Sequence, residues 1–455
     1  MGEFFGTDGI RGEAGKYPLD EKTIEWIGYS LAGQLSRKLK SPPRIVIGRD
    51  TRESGVWIEA AIARGIATSG AHPHFAGIIT TPGVAYLTRY LKADAGIVIS
   101  ASHNPYDDNG IKIFAPSGQK LDDATELAIE ADLKAGAPFF PQIQPATVEI
   151  DRELKTAYIS YLKHEAGAGL NLNGLKIVID CANGASSDIA PELFSSLGAN
   201  VTVINASPDG RNINLDCGSL HPDRLQKMVL DTGSDMGVAF DGDADRLIMV
   251  DEIGNLVDGD QILFVMAQYL FARGELDGAR VVATVMSNLG LELALKSSGI
   301  SLVRTAVGDK NVLDELIKGG GSIGGEQSGH IIFPKISFAG DGMLSAIEVL
   351  RVAADSGLTL SQLTAGMKRL PQLIINVKVS SKPPLDSIPE ITDSINALET
   401  ELSGKGRLLV RYSGTENKLR IMIEGEDQDV IQRQAESLAE IVRRSIENKI
   451  TKQTK

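Results

Sequence analysis

Cysteine is scarce in this chain, with only Cys181 and Cys217 among 455 residues. Neither cysteine lies in a spacing typical of metal-binding motifs, so the sequence argues against a disulfide scaffold and against a zinc site. Such sparse cysteine use predicts a protein of a reducing compartment.

Long apolar runs and an excess of basic residues are also missing. No run approaches the ~18 apolar residues of a membrane span, and residues 1–5 lack the start of a secretory leader. The formal net charge of -13 argues against a general nucleic-acid or anionic-membrane surface. We therefore expect a cytoplasmic monomer or homodimer that binds a small molecule, with neither nucleic acid nor membrane as a partner.

The chain of 455 residues is too long for a single hydrophobic core. In its first part, one sequence pattern occurs three times. β-Branched runs at residues 44–50, 176–180 and 280–285 each predict a strand. A helix-like stretch follows each run and stops at a glycine, and another strand comes next. The three glycines are Gly70, Gly198 and Gly299.

The pattern of apolar and polar residues changes near residue 371. From there on it predicts alternating strands and a terminal helix. The sequence therefore predicts an α/β protein of three similar mixed-sheet domains around a central cleft, plus a smaller α+β C-terminal domain. The predicted domains are residues 1–153, 154–255, 256–370 and 371–455.

Ser102 is the first candidate functional residue. The apolar run at residues 95–99 predicts a buried strand, and the loop SASHNP at residues 100–105 follows it directly. The hydroxyl could act as a nucleophile or carry a phosphoryl group, provided that a cation stabilises the phosphoryl. An ordinary turn is the alternative, because Asn and Pro punctuate loops for local reasons.

Asp241, Asp243 and Asp245 follow a second apolar run, residues 236–240. Three alternating carboxylates suit Mg²⁺, which takes few protein ligands and a phosphate oxygen. An EF-hand does not fit, because Arg246 stands where that loop needs glycine. A phosphatase that uses an aspartyl-phosphate, or a solvated acidic turn, stays possible on the residues alone.

Further polar loops could bind a sugar phosphate. Residues 325–330 offer Glu326, Ser328 and His330 to vicinal hydroxyls, although a plain hairpin is equally consistent with them. Residues 411–420 gather arginines, hydroxyls and a glycine, which suits a phosphate dianion. Lys112, ten residues after Ser102, could return to the same cleft.

Nucleotide-binding motifs are absent or misplaced. The glycines at residues 319–324 follow a helix and precede a strand, the wrong order for a dinucleotide site. No Gly-rich phosphate loop ending in Gly-Lys-Ser/Thr occurs, which argues against an ATP-dependent kinase.

With these residues in place, the chain resembles the α-D-phosphohexomutases over its whole length. The resemblance rests on residues 6–12, 100–112, 241–246, 325–330 and 411–420, in the order that the family has them. It implies a four-domain enzyme in which phosphoserine passes its phosphoryl group to a sugar monophosphate and regains one from the resulting bisphosphate.

The resemblance also implies roles for individual residues. One Mg²⁺ per chain would be held by Asp241, Asp243, Asp245 and the phosphorylated Ser102, and a hexose 1,6-bisphosphate would serve as activator and intermediate. The catalytic candidates are Ser102, Lys112, Arg11, His103 and His330. The substrate-binding candidates are Glu326, Ser328, Arg411, Ser413, Gly414, Thr415, Arg420 and Arg246.

Sugar choice rests on finer features. The SASHNP form of the serine loop and Gln327 in the sugar loop look like the glucosamine branch, which interconverts glucosamine 6-phosphate and glucosamine 1-phosphate. Ala244 departs from the glycine that is usual in the metal loop. A phosphomannomutase/phosphoglucomutase is the alternative within the family; outside it stand a metal-dependent sugar phosphatase and a non-catalytic binding protein.

Overall fold

The computed structural model describes residues 4–6, 8–136, 148–413 and 417–453. They divide into two compact units, one of residues 1–286 and 298–365 and the other of residues 287–297 and 366–455. The first unit contains three sheets and the second contains one.

The first sheet has the order β1-β5-β4-β2-β3. Strands β2, β3 and β4 are parallel, and β5 and β1 continue the sheet antiparallel. Its strands are β1 Ile10–Glu13, β2 Arg44–Arg49, β3 His72–Ile78, β4 Ala95–Ile99 and β5 Asp108–Phe114. Its helices are α1 Glu21–Leu39, α2 Ser54–Thr68, α3 Thr81–Tyr90 and α4 Asp123–Ala135.

The second sheet has the order β10-β9-β8-β6-β7. Strands β8, β6 and β7 are parallel, and β9 pairs with β8 antiparallel. This is the pairing that β4, β2, β3 and β5 have in the first sheet. Its strands are β6 Lys176–Asp180, β7 Asn200–Ile204, β8 Met236–Phe240, β9 Leu247–Asp251 and β10 Leu256–Val257. The helices of this part are α5 Arg152–Tyr161, α6 Ile189–Ser196 and α7 Asp223–Thr232.

The third sheet, β12-β11-β13-β14, has the same pairing in a shorter form. Its strands are β11 Arg280–Thr284, β12 Ser301–Thr305, β13 Gly324–Gly325 and β14 Ile331–Ile332. The helices of this part in the first unit are α8 Gly259–Ala272, α10 Asp309–Gly319, α11 Gly342–Ser356 and α12 Leu360–Thr364. The predicted threefold α/β repeat is therefore confirmed.

Local chemistry explains where several of these helices begin and end. Asp20, Thr80 and Asp341 accept hydrogen bonds from backbone N–H groups of the first turns of α1, α3 and α11. Asp258 and Gln261 form a reciprocal capping box at α8. The three predicted stop glycines all have positive φ, from 78° at Gly299 to 100° at Gly198.

The second unit is a three-stranded antiparallel sheet, β15-β17-β16, with helices. Its strands are β15 Gln372–Lys378, β16 Gly406–Tyr412 and β17 Lys418–Gly425, and its helices are α9 Leu289–Ser297, α13 Pro389–Leu402 and α14 Gln428–Gln453. The apolar faces of β16 and β17 pack with those of α13 and α14 in one core. This is the predicted α+β domain.

Candidate active site

The serine loop, residues 100–108, leaves the end of the fully buried strand β4. Ser102 lies in this loop, and its side chain is buried. Its φ of 54° is in the left-handed region, which few residues other than Gly, Asn and Asp adopt. The Ser102 amide donates a hydrogen bond to Ser100 Oγ at 2.9 Å, so the backbone here is held in a defined conformation.

The Ser102 hydroxyl faces the metal loop, residues 241–246, which leaves the equivalent strand β8 of the second sheet. Its Oγ donates to Asp241 Oδ2 at 2.6 Å and lies 3.3 Å from His103 Nδ1. Burial, and then the guanidinium groups of Arg246 and Arg11, lower the pKa of His103 to about 4. The His103 ring is therefore neutral near pH 7.

Asp241, Asp243 and Asp245 converge as the spacing predicts. One carboxylate oxygen from each lies within 4.8 Å of the others, and all three residues are buried. Burial and the two neighbouring carboxylates raise the pKa of Asp241 to about 8. Asp243 Oδ1 and Asp245 Oδ1 have no hydrogen-bond partner among the described residues. Buried carboxylate oxygens that lack a donor fit a hard cation, so the residues present can hold a metal ion.

Lys112 lies on β5, next to β4, and reaches the same carboxylates. Its Nζ is 2.8 Å from Asp243 Oδ2 and 3.2 Å from Asp245 Oδ2. Burial alone would lower the pKa of Lys112, but Asp243, Asp245 and Asp8 raise it well above its ordinary value. The ammonium group is therefore charged and lies against the carboxylates of the metal loop; the role of Lys112 stays a prediction.

Three charged residues at this site were not predicted as site residues: Asp8, which lies within the 6–12 motif, and Lys120 and Asp309. Asp8 pairs with Arg11 and lies 3.1 Å from Lys112. Lys120 bridges Asp8 and Asp309, each at 2.7 Å. The two partners of Lys120 are 112 and 189 residues away in the sequence, so only the folded topology brings them together.

His330 lies between two of the carboxylates at this site, those of Asp245 and Asp309. Its Nδ1 lies 3.7 Å from Asp245 Oδ2 and its Nε2 3.6 Å from Asp309 Oδ2. Burial would lower the pKa of His330, but Asp245 and then Asp309 raise it to about 9. A cavity of about 220 Å³ beside it has both carboxylates and Lys120 in its wall.

The sugar loop, residues 325–330, lies against the metal loop. Gly329 must be glycine here, because a Cβ would stand 2.0 Å from the Leu247 carbonyl oxygen. Glu326 Oε1 accepts a hydrogen bond from the Gly308 amide at 3.0 Å, and Ser328 Oγ is buried without a partner among the described residues. Arg246 donates its amide to Asp241 Oδ1 at 3.2 Å, and its side chain is nearly buried.

The second unit has its own cluster of cations. Arg411 on β16 pairs in register with Arg420 on β17. Burial and then the Arg420 charge lower the pKa of Arg411. Like charges directly opposite each other on adjacent strands are unfavourable, and an anion would relieve them. The Ser413 amide donates to Lys418 O, and Lys382 Nζ donates to Ser413 O at 2.7 Å.

Sequence reasoning missed Lys382, which lies outside the arginine motif. Two predicted phosphate-binding residues, Gly414 and Thr415, lie outside the described residues.

Comparison with known proteins agrees with this geometry. Models of phosphoglucomutase/phosphomannomutase α/β/α domains I, II and III match residues 2–138, 156–254 and 258–370, and the C-terminal domain matches residues 374–441. The chain belongs to the phosphoglucomutase/phosphomannomutase family, the α-D-phosphohexomutases. As a mutase, it is an enzyme of the isomerase class.

Individual relatives are similar over almost their whole length. The chain is 48% identical to the phosphoglucosamine mutase of Solibacter usitatus, covering 98% of this chain and 99% of the relative. It is 47% identical to the phosphoglucosamine mutase of Symbiobacterium thermophilum, covering 98% and 100%.

Solved structures share the fold at lower identity. A phosphoglucomutase/phosphomannomutase family protein of Burkholderia thailandensis has a TM-score of 0.78 at 22% identity, with 97% of each chain covered. The N-acetylphosphoglucosamine mutase of Aspergillus fumigatus, solved with GlcNAc-6P and magnesium, has a TM-score of 0.70 at 18% identity, covering 97% of this chain and 96% of that one. Among the described residues, no helix is both long and apolar enough to cross a membrane.

Proposed function

We propose that the protein is a phosphoglucosamine mutase that interconverts glucosamine 6-phosphate and glucosamine 1-phosphate through a phosphorylated Ser102. The observation that carries the proposal is the 2.6 Å contact between Ser102 Oγ and Asp241 in a buried carboxylate cluster. Support for the sugar comes from relatives named for that activity at 44% to 48% identity over nearly the whole chain.

The reaction would run in two halves. In the first, the bond between phosphorus and Ser102 Oγ breaks as a bond forms from phosphorus to a hydroxyl oxygen of the sugar monophosphate. The departing Ser102 Oγ gains a proton as the sugar hydroxyl loses one. Lys112 and His330 are both protonated near pH 7, so they are candidates for the acid that protonates Ser102 Oγ, and the hydroxyl proton then replaces the one given up. The bisphosphate then turns over, and its other phosphoryl group returns to Ser102 by the reverse step.

Charge stabilisation is the main task of a protein in phosphoryl transfer. Asp241, Asp243 and Asp245 would hold Mg²⁺ together with the Ser102 phosphoryl group. A bound Mg²⁺ supplies positive charge to the transferring oxygens. Lys112 and Arg11 would add positive charge at the same place, and His103 and Arg246 would line it.

Sugar and phosphate recognition would come from two places. Glu326, Ser328 and His330 would contact sugar hydroxyls, since the sugar loop presents a carboxylate, a buried hydroxyl and an imidazole. The phosphate that does not react would be bound by Arg411, Ser413, Gly414, Thr415 and Arg420. The facing guanidinium groups of the second unit support that assignment.

Substrate ranking tests the proposal. The enzyme, primed with glucose 1,6-bisphosphate in the presence of Mg²⁺, is assayed on glucosamine, glucose and mannose 1-phosphates. We expect the highest kcat/KM with glucosamine 1-phosphate, no net release of inorganic phosphate, and loss of turnover with a chelator. Ser102→Ala should lower kcat by on the order of 10³-fold or more, whereas Ser117→Ala, an exposed hydroxyl, serves as the control.

The results also separate the alternatives. A strong preference for mannose 1-phosphate would assign a phosphomannomutase/phosphoglucomutase instead. Phosphate release without isomer formation would indicate a phosphatase, and no turnover of any sugar phosphate would indicate a binding protein.

The same proposal includes a cytoplasmic location, a monomer or homodimer, and a hexose 1,6-bisphosphate as activator. We also propose the four domain boundaries given from the sequence, after residues 153, 255 and 370. Sedimentation of the purified protein would measure its oligomeric state.

A further inference from the structure

Arg52 is a fully buried arginine just after β2, and its side chain is 0% exposed. Its guanidinium group faces the serine loop and donates only to backbone carbonyls there. Two of these contacts come from Nη2, at 3.0 Å to Ser102 O and 2.8 Å to Asn104 O. Nη1 donates to Pro105 O and to Asp108 O. One side chain therefore satisfies four carbonyls of a single loop.

Asp50 neutralises Arg52 and orients it. The Asp50 carboxylate accepts from Arg52 Nε at 2.8 Å and from the Arg52 amide at 2.9 Å. It also accepts from Ser100 Oγ at 2.6 Å, and Ser100 in turn accepts the Ser102 amide. The buried Arg52 guanidinium is paired with the Asp50 carboxylate, and its N–H groups donate to Asp50 and to the loop carbonyls. This arrangement leaves the guanidinium one orientation, so its contacts to the loop are fixed.

Asn214 reaches the same two carbonyls from the second α/β region. Its Nδ2 lies 2.9 Å from Ser102 O and 3.1 Å from Asn104 O. The backbone amide of Asn214 donates to Ala182 O at 2.9 Å, so the backbone here is attached to the loop after β6. Asn214 is thus anchored in the region that carries the metal loop, while its side chain holds the serine loop.

The metal loop passes directly beside this contact. A Cβ at Gly242 would stand 2.6 Å from Ser102 O and 2.9 Å from Asn214 Nδ2. The Ser102 carbonyl therefore lies between Arg52, Asn214 and the backbone of the metal loop. Contacts that hold this carbonyl restrain the backbone of Ser102, which has a φ of 54° and whose hydroxyl donates to Asp241.

We propose that Arg52 and Asn214 are positioning residues that hold the carbonyls of Ser102 and Asn104, and so keep the Ser102 hydroxyl aimed at the metal loop. The inference rests on the proposed role of Ser102 as carrier of the phosphoryl group. Neither residue touches the reacting atoms. Asn214 couples the aim of the hydroxyl to the region that supplies the three carboxylates, because it belongs to that region.

Asn214→Gly is the informative variant. Asn214 has a φ of 58°, which glycine adopts without strain, so the change removes the amide without forcing the backbone. Asp216→Gly is the matched control, because Asp216 lies in the same loop, has a φ of 49° and is exposed. Removing the Arg52 charge would leave Asp50 buried and unpaired and could prevent folding, so Asn214 carries the test.

Two readouts are measured on both variants. The first is hydrogen exchange of the backbone amides of residues 100–108, which is independent of substrate. The second is steady-state turnover with whichever hexose phosphate the wild-type enzyme uses best. For Asn214→Gly we expect faster exchange in the serine loop and a kcat lower by about tenfold, with KM within about twofold. Asp216→Gly should match the wild type in both.

The outcomes are distinct. Unchanged exchange and unchanged kcat in Asn214→Gly would overturn the inference, as would a rise in KM with kcat unchanged. An equal loss in Asp216→Gly would also overturn it, since the effect would then belong to the loop and not to the amide. A wild-type preference for mannose phosphates would reject the proposed substrate, yet the two variants would still be compared on that substrate.

Discussion

The serine loop and the metal loop occupy equivalent places, after β4 and β8 of two similarly ordered sheets. Each contains a residue other than glycine in the left-handed region, Ser102 at 54° and Ala244 at 56°. They differ in what holds them. The carbonyls of the serine loop accept from the side chains of Arg52 and Asn214.

Three carbonyls of the metal loop accept instead from backbone amides of other segments of the chain. These bonds are Ala185 N to Gly242 O at 2.8 Å, Thr81 N to Asp243 O at 3.0 Å, and Gly342 N to Ala244 O at 3.0 Å. A side chain can be deleted by one substitution, whereas a backbone amide persists in any residue except proline. The conformation of the serine loop should therefore depend far more on single side chains than that of the metal loop.

The largest expected effect is on stability, in Arg52→Met. This change removes four loop contacts and leaves Asp50 buried without its counter-ion, so we expect the free energy of unfolding to fall by about 3 to 5 kcal/mol. Thr81→Val is the comparison from the metal loop. It removes one 2.5 Å bond from Thr81 Oγ1 to Asp243 but keeps the Thr81 amide bond, and should cost about 1 to 3 kcal/mol. Denaturant unfolding measures both; equal losses would contradict the difference between the loops.

An intermediate effect is expected at Gly242, where the two loops meet. In Gly242→Ala the new Cβ would overlap Ser102 O and Ile213, so the loops must move apart. We expect a stability loss of about 1 to 3 kcal/mol and a kcat reduced by about 10²-fold. Gly33→Ala, whose Cβ meets nothing closer than 3.9 Å, is the control. A fully active Gly242→Ala would show that the approach of the loops tolerates displacement.

The smallest effect is expected at Ala244. Ala244→Gly relieves left-handed strain of about 1 to 2 kcal/mol, but it loses a buried methyl group and adds unfolded-state entropy. The opposing terms should leave the melting temperature within about 3 °C of the wild type. A strongly stabilised variant would contradict this expectation. It would show that the backbone hydrogen bonds of the metal loop do not offset the left-handed strain at Ala244. Its turnover should be unchanged, which the same assay checks.

The parts predicted from the sequence are those that depend on local pattern. Buried strands ending in polar loops, such as the one before Ser102, stand out because apolar β-branched residues give way at once to polar ones. The glycines at the ends of the helices were also predicted from local pattern, because each one directly follows a helix-like stretch. The convergence of Ser102, Lys112 and the three aspartates followed from placing equivalent loops at one edge of similar sheets.

The residues that were missed share a different property. Arg52, Asn214, Lys120 and Asp309 act on partners that are 50 or more residues away in the sequence. Their types are ordinary for surface turns, so no local pattern distinguishes them. Their roles depend on loop conformations that only the complete fold determines. The functional roles of the predicted site residues stay predictions until the variants are measured.

The facing arginines of the second unit have a mechanical consequence. Arg411 and Arg420 lie opposite each other on β16 and β17, so two positive charges face each other across this pair of strands. A doubly charged anion bound there would fasten the two strands together. On the proposed function, departure of the substrate phosphate would leave the two guanidinium charges unscreened again, so the dwell time of the ligand would be set partly by the free energy of their repulsion.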